Sequence, residues 1–133
     1  MRAETDLGRL LSGMRPELQP GTYVFAMVDD AGVPAGLAPV MSFREAAGTT
    51  LILPEAEAVR AGLPGAFRCR WITLTVPSAL DAVGFLAAVT ACLAESGIAV
   101  NAVSAFHHDH LFVPVSRAEE AMRRLRECFG PGS

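Results

Sequence analysis

The residues best suited to chemistry in this 133-residue chain fall in three places: 76–85 (VPSALDAVGF), 101–110 (NAVSAFHHDH) and Arg44-Glu45. The first leads from an alternating strand pattern into a helix pattern. Free backbone N–H groups should therefore point outward around Ser78, Ala79 and the residues that follow, and a helix start of this kind attracts a carboxylate or a phosphate. Asp81 offers an acceptor to an ammonium group. Gly84 falls in the expected first turns of the helix, where glycine costs about 1 kcal/mol relative to alanine. Close approach of a ligand or of another backbone to Val83, Gly84 and Phe85 would account for that cost. The competing explanation is that Ser78 or Asp81 caps the helix and Gly84 relieves crowding.

Asn101 interrupts an apolar strand, where asparagine has poor propensity. Its amide carries both donor and acceptor, which suits the two ends of a zwitterion. A β-bulge or a satisfied core amide explains it equally well. His107-His108-Asp109-His110 is the most conspicuous polar cluster. In an extended segment His108 and His110 would share a side, and histidine with a carboxylate can bind zinc. Four adjacent residues at a hairpin tip rarely converge on one ion, so we read them as exposed imidazoles on a turn. Arg44 either forks onto a carboxylate or forms with Glu45 an exposed pair worth little. Arg44, Glu45, His108, Asp109 and His110 stand as secondary candidates.

What is missing narrows the chemistry further. No G-x-S-x-G, H-E-x-x-H, G-x-G-x-x-G or C-x-x-C run occurs, which argues against the main hydrolase, zinc-protease, dinucleotide and redox classes. The 11 basic residues are all arginine, which excludes lysine Schiff-base chemistry and a P-loop lysine. A net charge of −3 without a basic run argues against nucleic acid, because phosphate neutralisation needs clustered cations. The expectation is a non-catalytic protein with neither cofactor nor metal.

A scaffold must hold these segments, and the patterning sketches one. Leu7, Leu10, Leu11 and Met14 fall on one face of a helix over 6–14, with Thr5 as its cap. Pro16, Pro20 and Gly21 break the chain. Residues 22–28 (TYVFAMV) read as a buried strand, 29–32 as a turn, 33–39 as a loop, 40–45 as a short strand and 49–53 as a firmer one. Pro54 suits the start of a short helix over 55–61, closed by Gly62. Residues 62–65 (GLPG) are the only internal linker candidate and divide the chain into 1–65 and 66–133. Beyond them Ile72, Leu74 and Val76 alternate with Thr73 and Thr75 in a strand over 68–76. A helix over 81–96 puts Val83, Leu86, Ala87, Thr90, Leu93 and Ala94 on one face. Phe85, Val89 and Cys92 keep its other faces apolar, so it needs cover on more than one side. Residues 98–106 and 111–115 pair as a hairpin. Ser116 and Glu119 have capping-box spacing ahead of a last helix with the stripe Ala118, Ala121, Met122, Leu125 and Phe129, stopped by 130–132.

Hydrophobic residues make up 51% of the chain. That is high for a small domain and points to apolar surface covered by a partner chain, most simply in a homodimer. Cys69, Cys92 and Cys128 are widely spaced in apolar patterns. They read as small core residues of a reducing compartment, neither a disulfide framework nor a zinc site. The opening MRAETDLGRLL lacks the apolar core of a secretory signal, and the longest uncharged apolar stretch, 82–94, is too short for a bilayer. A cytoplasmic protein without membrane contact is expected.

The run 72–114, with Ala82-Val83-Gly84 at its helix start and His108-Asp109-His110 in its hairpin, resembles the small bacterial ACT-domain proteins. Residues 21–25 and Phe43-Arg44-Glu45 followed by Gly48-Thr49 extend the resemblance into the first half. It implies an α+β fold of ferredoxin-like βαββαβ units, each an antiparallel sheet with helices on one face, two in tandem. It further implies a regulatory module that binds an amino acid where the strand-to-helix turn of one unit meets the second strand of a neighbour. Carried over, these are Ser78, Ala79, Asp81, Val83, Gly84 and Phe85 in the turn, and Asn101, Ala102 and Val103 in the strand. The chain departs from the family pattern at Pro77, where a histidine precedes the serine, and at Ala47, where a glutamate precedes the glycine. The alternatives are a protein-interaction module without a ligand, or a metal-binding protein using the histidine cluster.

Overall fold

The structure, a computed structural model, describes residues 3–29 and 32–129. Its elements in chain order are α1 (Leu7–Gly13), β1 (Pro16–Leu18), β2 (Tyr23–Val28), β3 (Met41–Glu45), β4 (Gly48–Pro54), α2 (Glu55–Arg60), β5 (Ala66–Leu74), α3 (Phe85–Glu95), β6 (Asn101–Ser104), β7 (Asp109–Pro114) and α4 (Ala118–Phe129), with a 3-10 turn at Val115–Arg117. Residues 30–31 of the expected turn and 130–132 of the expected helix stop lie outside the described residues.

The chain divides into two compact units, one of Met1–Pro20 with Arg70–Ser133 and one of Gly21–Cys69. In the larger unit the strands lie in the order β1, β5, β7, β6. β1 runs antiparallel to β5 with Pro16 opposite Leu74 and Leu18 opposite Ile72. β6 and β7 form a hairpin that sets Asn101 opposite Phe112 and Ser104 opposite Asp109. From β5 onward the order is strand, helix, strand, strand, helix. β1 then supplies the closing strand of a ferredoxin-like βαββαβ unit. Leu74, Val89, Leu93, Leu111, Val113 and Leu125 are buried together, and Leu10 and Met14 join them from the start of the chain.

The smaller unit repeats the same strand order as β3, β4, β2 and the first residues of β5. β2 and β4 pair antiparallel from Tyr23 opposite Pro54 to Val28 opposite Thr49. Val24, Ala26, Val28, Leu51, Leu53 and Ala58 of α2 form its core. Where the motif has its first helix, the described residues 32–40 form none. The β3–β4 turn depends on Gly48, whose φ is +145° and where an added Cβ would stand 2.3 Å from the Val28 carbonyl oxygen.

Several local expectations are corrected. Asp6, not Thr5, caps α1, its carboxylate accepting from the Arg9 N–H at 2.9 Å. β1 forms where only chain breakers were read. α3 starts at Phe85, four residues later than expected, and Gly84 is its N-cap in the left-handed region, with φ +90°. The buried face of α3 is Phe85, Val89, Cys92 and Leu93, while Ala87, Ala91 and Ala94 face out. α1 and α4 both pack on α3, the cover on more than one side that its apolar faces call for. The capping box at Ser116 does not form: the 3-10 turn begins after Pro114 with no side-chain cap. Instead Arg117 donates to the Ser96 carbonyl at 2.9 Å and to Glu120 at 2.7 Å. Cys92 and Cys128 form a disulfide between α3 and α4, against the reading of three separate thiols, and the argument from them to a reducing compartment falls. Cys69 remains a buried free thiol.

Candidate functional site

The loop between β5 and α3 begins where Pro77, lacking an N–H, removes a ladder donor. Part of its backbone is engaged. Glu4 N–H donates to the Pro77 carbonyl at 2.8 Å and Ala79 N–H to the Glu4 carbonyl at 3.0 Å, an isolated parallel bridge that lays Glu4 beside Ser78. Ala82 N–H turns back onto the Ala79 carbonyl at 3.0 Å. Beyond it Gly84 gives α3 no side-chain cap, so the first-turn amides at Phe85 and Leu86 carry the positive end of the helix uncapped.

The loop, this helix start and the β6–β7 hairpin enclose a recess of about 60 Å³. The loop contributes Ser78, Ala79, Leu80 and Ala82, and the helix Phe85 and Leu86. Ser104, Ala105 and Asp109 come from the hairpin. Ser78 and Asp109 are 6% and 7% exposed. Ser78 Oγ donates to one carboxylate oxygen of Asp109 at 3.2 Å, and Ser104 Oγ to the other at 2.5 Å. The hairpin register, which sets Ser104 opposite Asp109, makes the second bond. Among the described residues no Arg or His side chain is ion-paired with Asp109.

The next residue of β7 turns the other way. His110 Nδ1 accepts from Trp71 Nε1–H at 2.9 Å and lies 3.1 Å from Thr73 Oγ1, while Trp71 stacks on Phe112 with ring centroids 6.2 Å apart. Burial, and then the adjacent His108, hold the His110 imidazole below the usual histidine range, with Asp109 pulling the other way. His107 packs its ring against Phe106. Among the described residues no three His, Cys, Asp or Glu side chains gather as a metal would need.

Of the residues singled out in the sequence, Ser78, Ala79, Phe85 and Asp109 line the recess. Asp81 and Val83 do not. Asp81 is exposed, and Val83 is 83% exposed. Gly84 serves the backbone, as the left-handed residue that starts α3. Asn101 and Ala102 are exposed on β6, the outer strand of the unit's sheet, and Val103 is half-buried there. Arg44 and Glu45 lie exposed on β3 of the smaller unit, where Thr50 Oγ1 donates to Glu45. Ser104 was missed, although its place follows from the hairpin register once the tip is fixed. Leu80, Ala82, Leu86 and Ala105 carried no signal beyond their position.

No helix among the described residues is long and apolar enough to cross a membrane. Compared with known proteins, residues 2–70 match one family model described as an ACT domain and residues 66–127 match another. A Vibrio cholerae protein of unknown function, described as a possible transport protein, is 42% identical with a TM-score of 0.81, over 92% of this chain and 94% of that one. The regulatory subunits of aspartate kinase from Thermus thermophilus and Thermus flavus share the fold at 13% and 11% identity, with TM-scores of 0.65 and 0.62. Both alignments cover 86% of this chain, and 95% and 97% of those chains respectively. No curated protein matches.

Proposed function

The chain belongs to the ACT-domain family, with two such domains in tandem, and on that premise we propose that it is a non-catalytic regulatory module that binds an amino acid. The recess carries the reading. An uncapped helix start at Phe85 and Leu86 favours a carboxylate, and the polar wall of Ser78, Ser104 and Asp109 stands across from it. A volume of about 60 Å³ suits the head group of an amino acid. A large side chain would extend past Leu80 or toward a neighbouring chain. Along the sequence we place the boundary between the repeats at 65/66, as 1–65 and 66–133, with 1–20 completing the second repeat in space. β6 is an outer strand with free edge groups, so a second copy can add there and bring its own Asn101, Ala102 and Val103 into play in a homodimer. Thermal denaturation with each of the twenty amino acids at millimolar concentration tests the reading. A ligand at 100 times its dissociation constant adds about 2.7 kcal/mol, and a flat response to all twenty overturns it.

Exposed apolar residues favour a second reading. Leu80, Val83 and Phe106 are 68%, 83% and 76% exposed, which is the composition of a protein-docking surface rather than of a solvated loop. Under that reading no amino acid shifts stability, and changing these three to Ser removes self-association in sedimentation without loss of fold.

A further inference from the structure

A carboxylate withdrawn from water without a cation beside it is costly. Asp109 is in that position. It is 7% exposed, and the groups that hold it are the hydroxyls of Ser78 and Ser104. Both are neutral donors and fill two of its roughly four acceptor positions. The chain has no lysine, and among the described residues no arginine or histidine is ion-paired with it. Its strand neighbour His110 has its Nδ1 committed to Trp71. The positive end of α3 opens on the same recess, but its uncapped amides at Phe85 and Leu86 are also where an anionic group would dock.

We propose that Asp109 is the counter-charge for the ammonium group of the ligand, so that the site selects a primary-amine zwitterion over a hydroxy acid of the same shape. This rests on the amino-acid reading of the recess given above. The two serines each take one carboxylate oxygen and so fix the plane of the group. The remaining acceptor positions are left for an incoming N–H. Carboxylate toward the helix start and ammonium toward Asp109 would use both charges of the ligand. Asp81, the acid that the sequence pattern offers for this role, does not line the recess.

The test is calorimetric titration of the full chain with each amino acid and, for every one that binds, with the 2-hydroxy acid bearing the same side chain. The expected result is a preference of about 30-fold or more for the amino acid, the loss that accompanies removal of one half of a buried charge pair. Asp109→Asn should lose about the same factor toward the amino acid while its affinity for the hydroxy acid changes little. Ser104→Ala keeps the charge and should cost about tenfold or less. An amino acid that binds no better than its hydroxy acid overturns the ammonium assignment and leaves the proposed function standing. Failure of every amino acid to bind overturns both. The comparison on the unaltered chain decides the matter even if Asp109→Asn does not fold.

Discussion

The bond between Cys92 and Cys128 fixes the last helix to the one that starts at the recess, and its contribution to stability can be estimated. The two residues are 36 apart in sequence. Closing a loop of that length removes about 13 cal/mol/K from the unfolded chain, or about 3.8 kcal/mol at 25 °C. With an unfolding entropy of about 2.1 cal/mol/K per residue, or about 280 cal/mol/K for the chain, the loss corresponds to a fall of about 14 °C in Tm. Cys128→Ser is the cleaner perturbation, because Cys128 is half-buried whereas Cys92 is buried. Urea denaturation of the parent and the variant, each with and without reductant, is the assay. Reductant should weaken the parent toward the variant and leave the variant unchanged. Thiol titration supplies an independent count. The unfolded, unreduced parent should expose one reactive thiol, Cys69. In the folded protein that thiol should be inert at pH 8, because burial pushes it up to about 11. A variant within about 1 kcal/mol of the parent, a loss well short of the chain-entropy value, or three reactive thiols in the unreduced unfolded chain, would refute the reasoning.

Two further outcomes follow from the structure. The folded His110 titrates below the usual 6.5, so the unfolded chain binds the extra proton first; stability is complete above about pH 6.5 and falls as the pH drops toward the lower folded value. His110→Asn should flatten that fall between about pH 7 and 5 in denaturation series, and an unchanged profile would remove the assignment. At Gly48, with φ +145° and the Val28 carbonyl oxygen 2.3 Å from an added Cβ, alanine should cost about 3 kcal/mol or more. Gly36→Ala, at φ +87° with nothing within 4 Å, should cost only about 1 kcal/mol; equal losses in urea midpoints would show that the close contact is unimportant.

The parts of this fold that local pattern controls were legible in the sequence. Alternation at Ile72, Thr73 and Leu74 marks β5, and the stripe of Ala118, Ala121, Met122 and Leu125 marks α4, because each is one face against one core. The family resemblance supplied the pairing of the units. What escaped depends on partners distant in sequence. Pro16-Glu17-Leu18 is too short to read as a strand until Leu74 and Ile72 stand opposite it. The start of α3 was misplaced because Asp81, Ala82 and Val83 continue a helical pattern that the left-handed turn at Gly84 interrupts. The disulfide needs two helices to pack before its cysteines meet. At the recess, loop composition was enough to find Ser78 and Ala79. Choosing Asp109 over Asp81 required the hairpin register, since the exposed acid looks the better ligand group when only types and spacing are known.

The closing strand of the larger unit comes from the opposite end of the chain, and that decides how the protein can be taken apart. A piece severed at Gly65 and carrying 66–133 would leave the β5 positions opposite Pro16 and Leu18 without their partners and strip Leu10 and Met14 from the interior. A bare strand margin of that sort seeks other chains and invites precipitation. Circular permutation that places 1–20 after Phe129 would return the missing margin in its proper order, and gives a route to isolating the recess-bearing half.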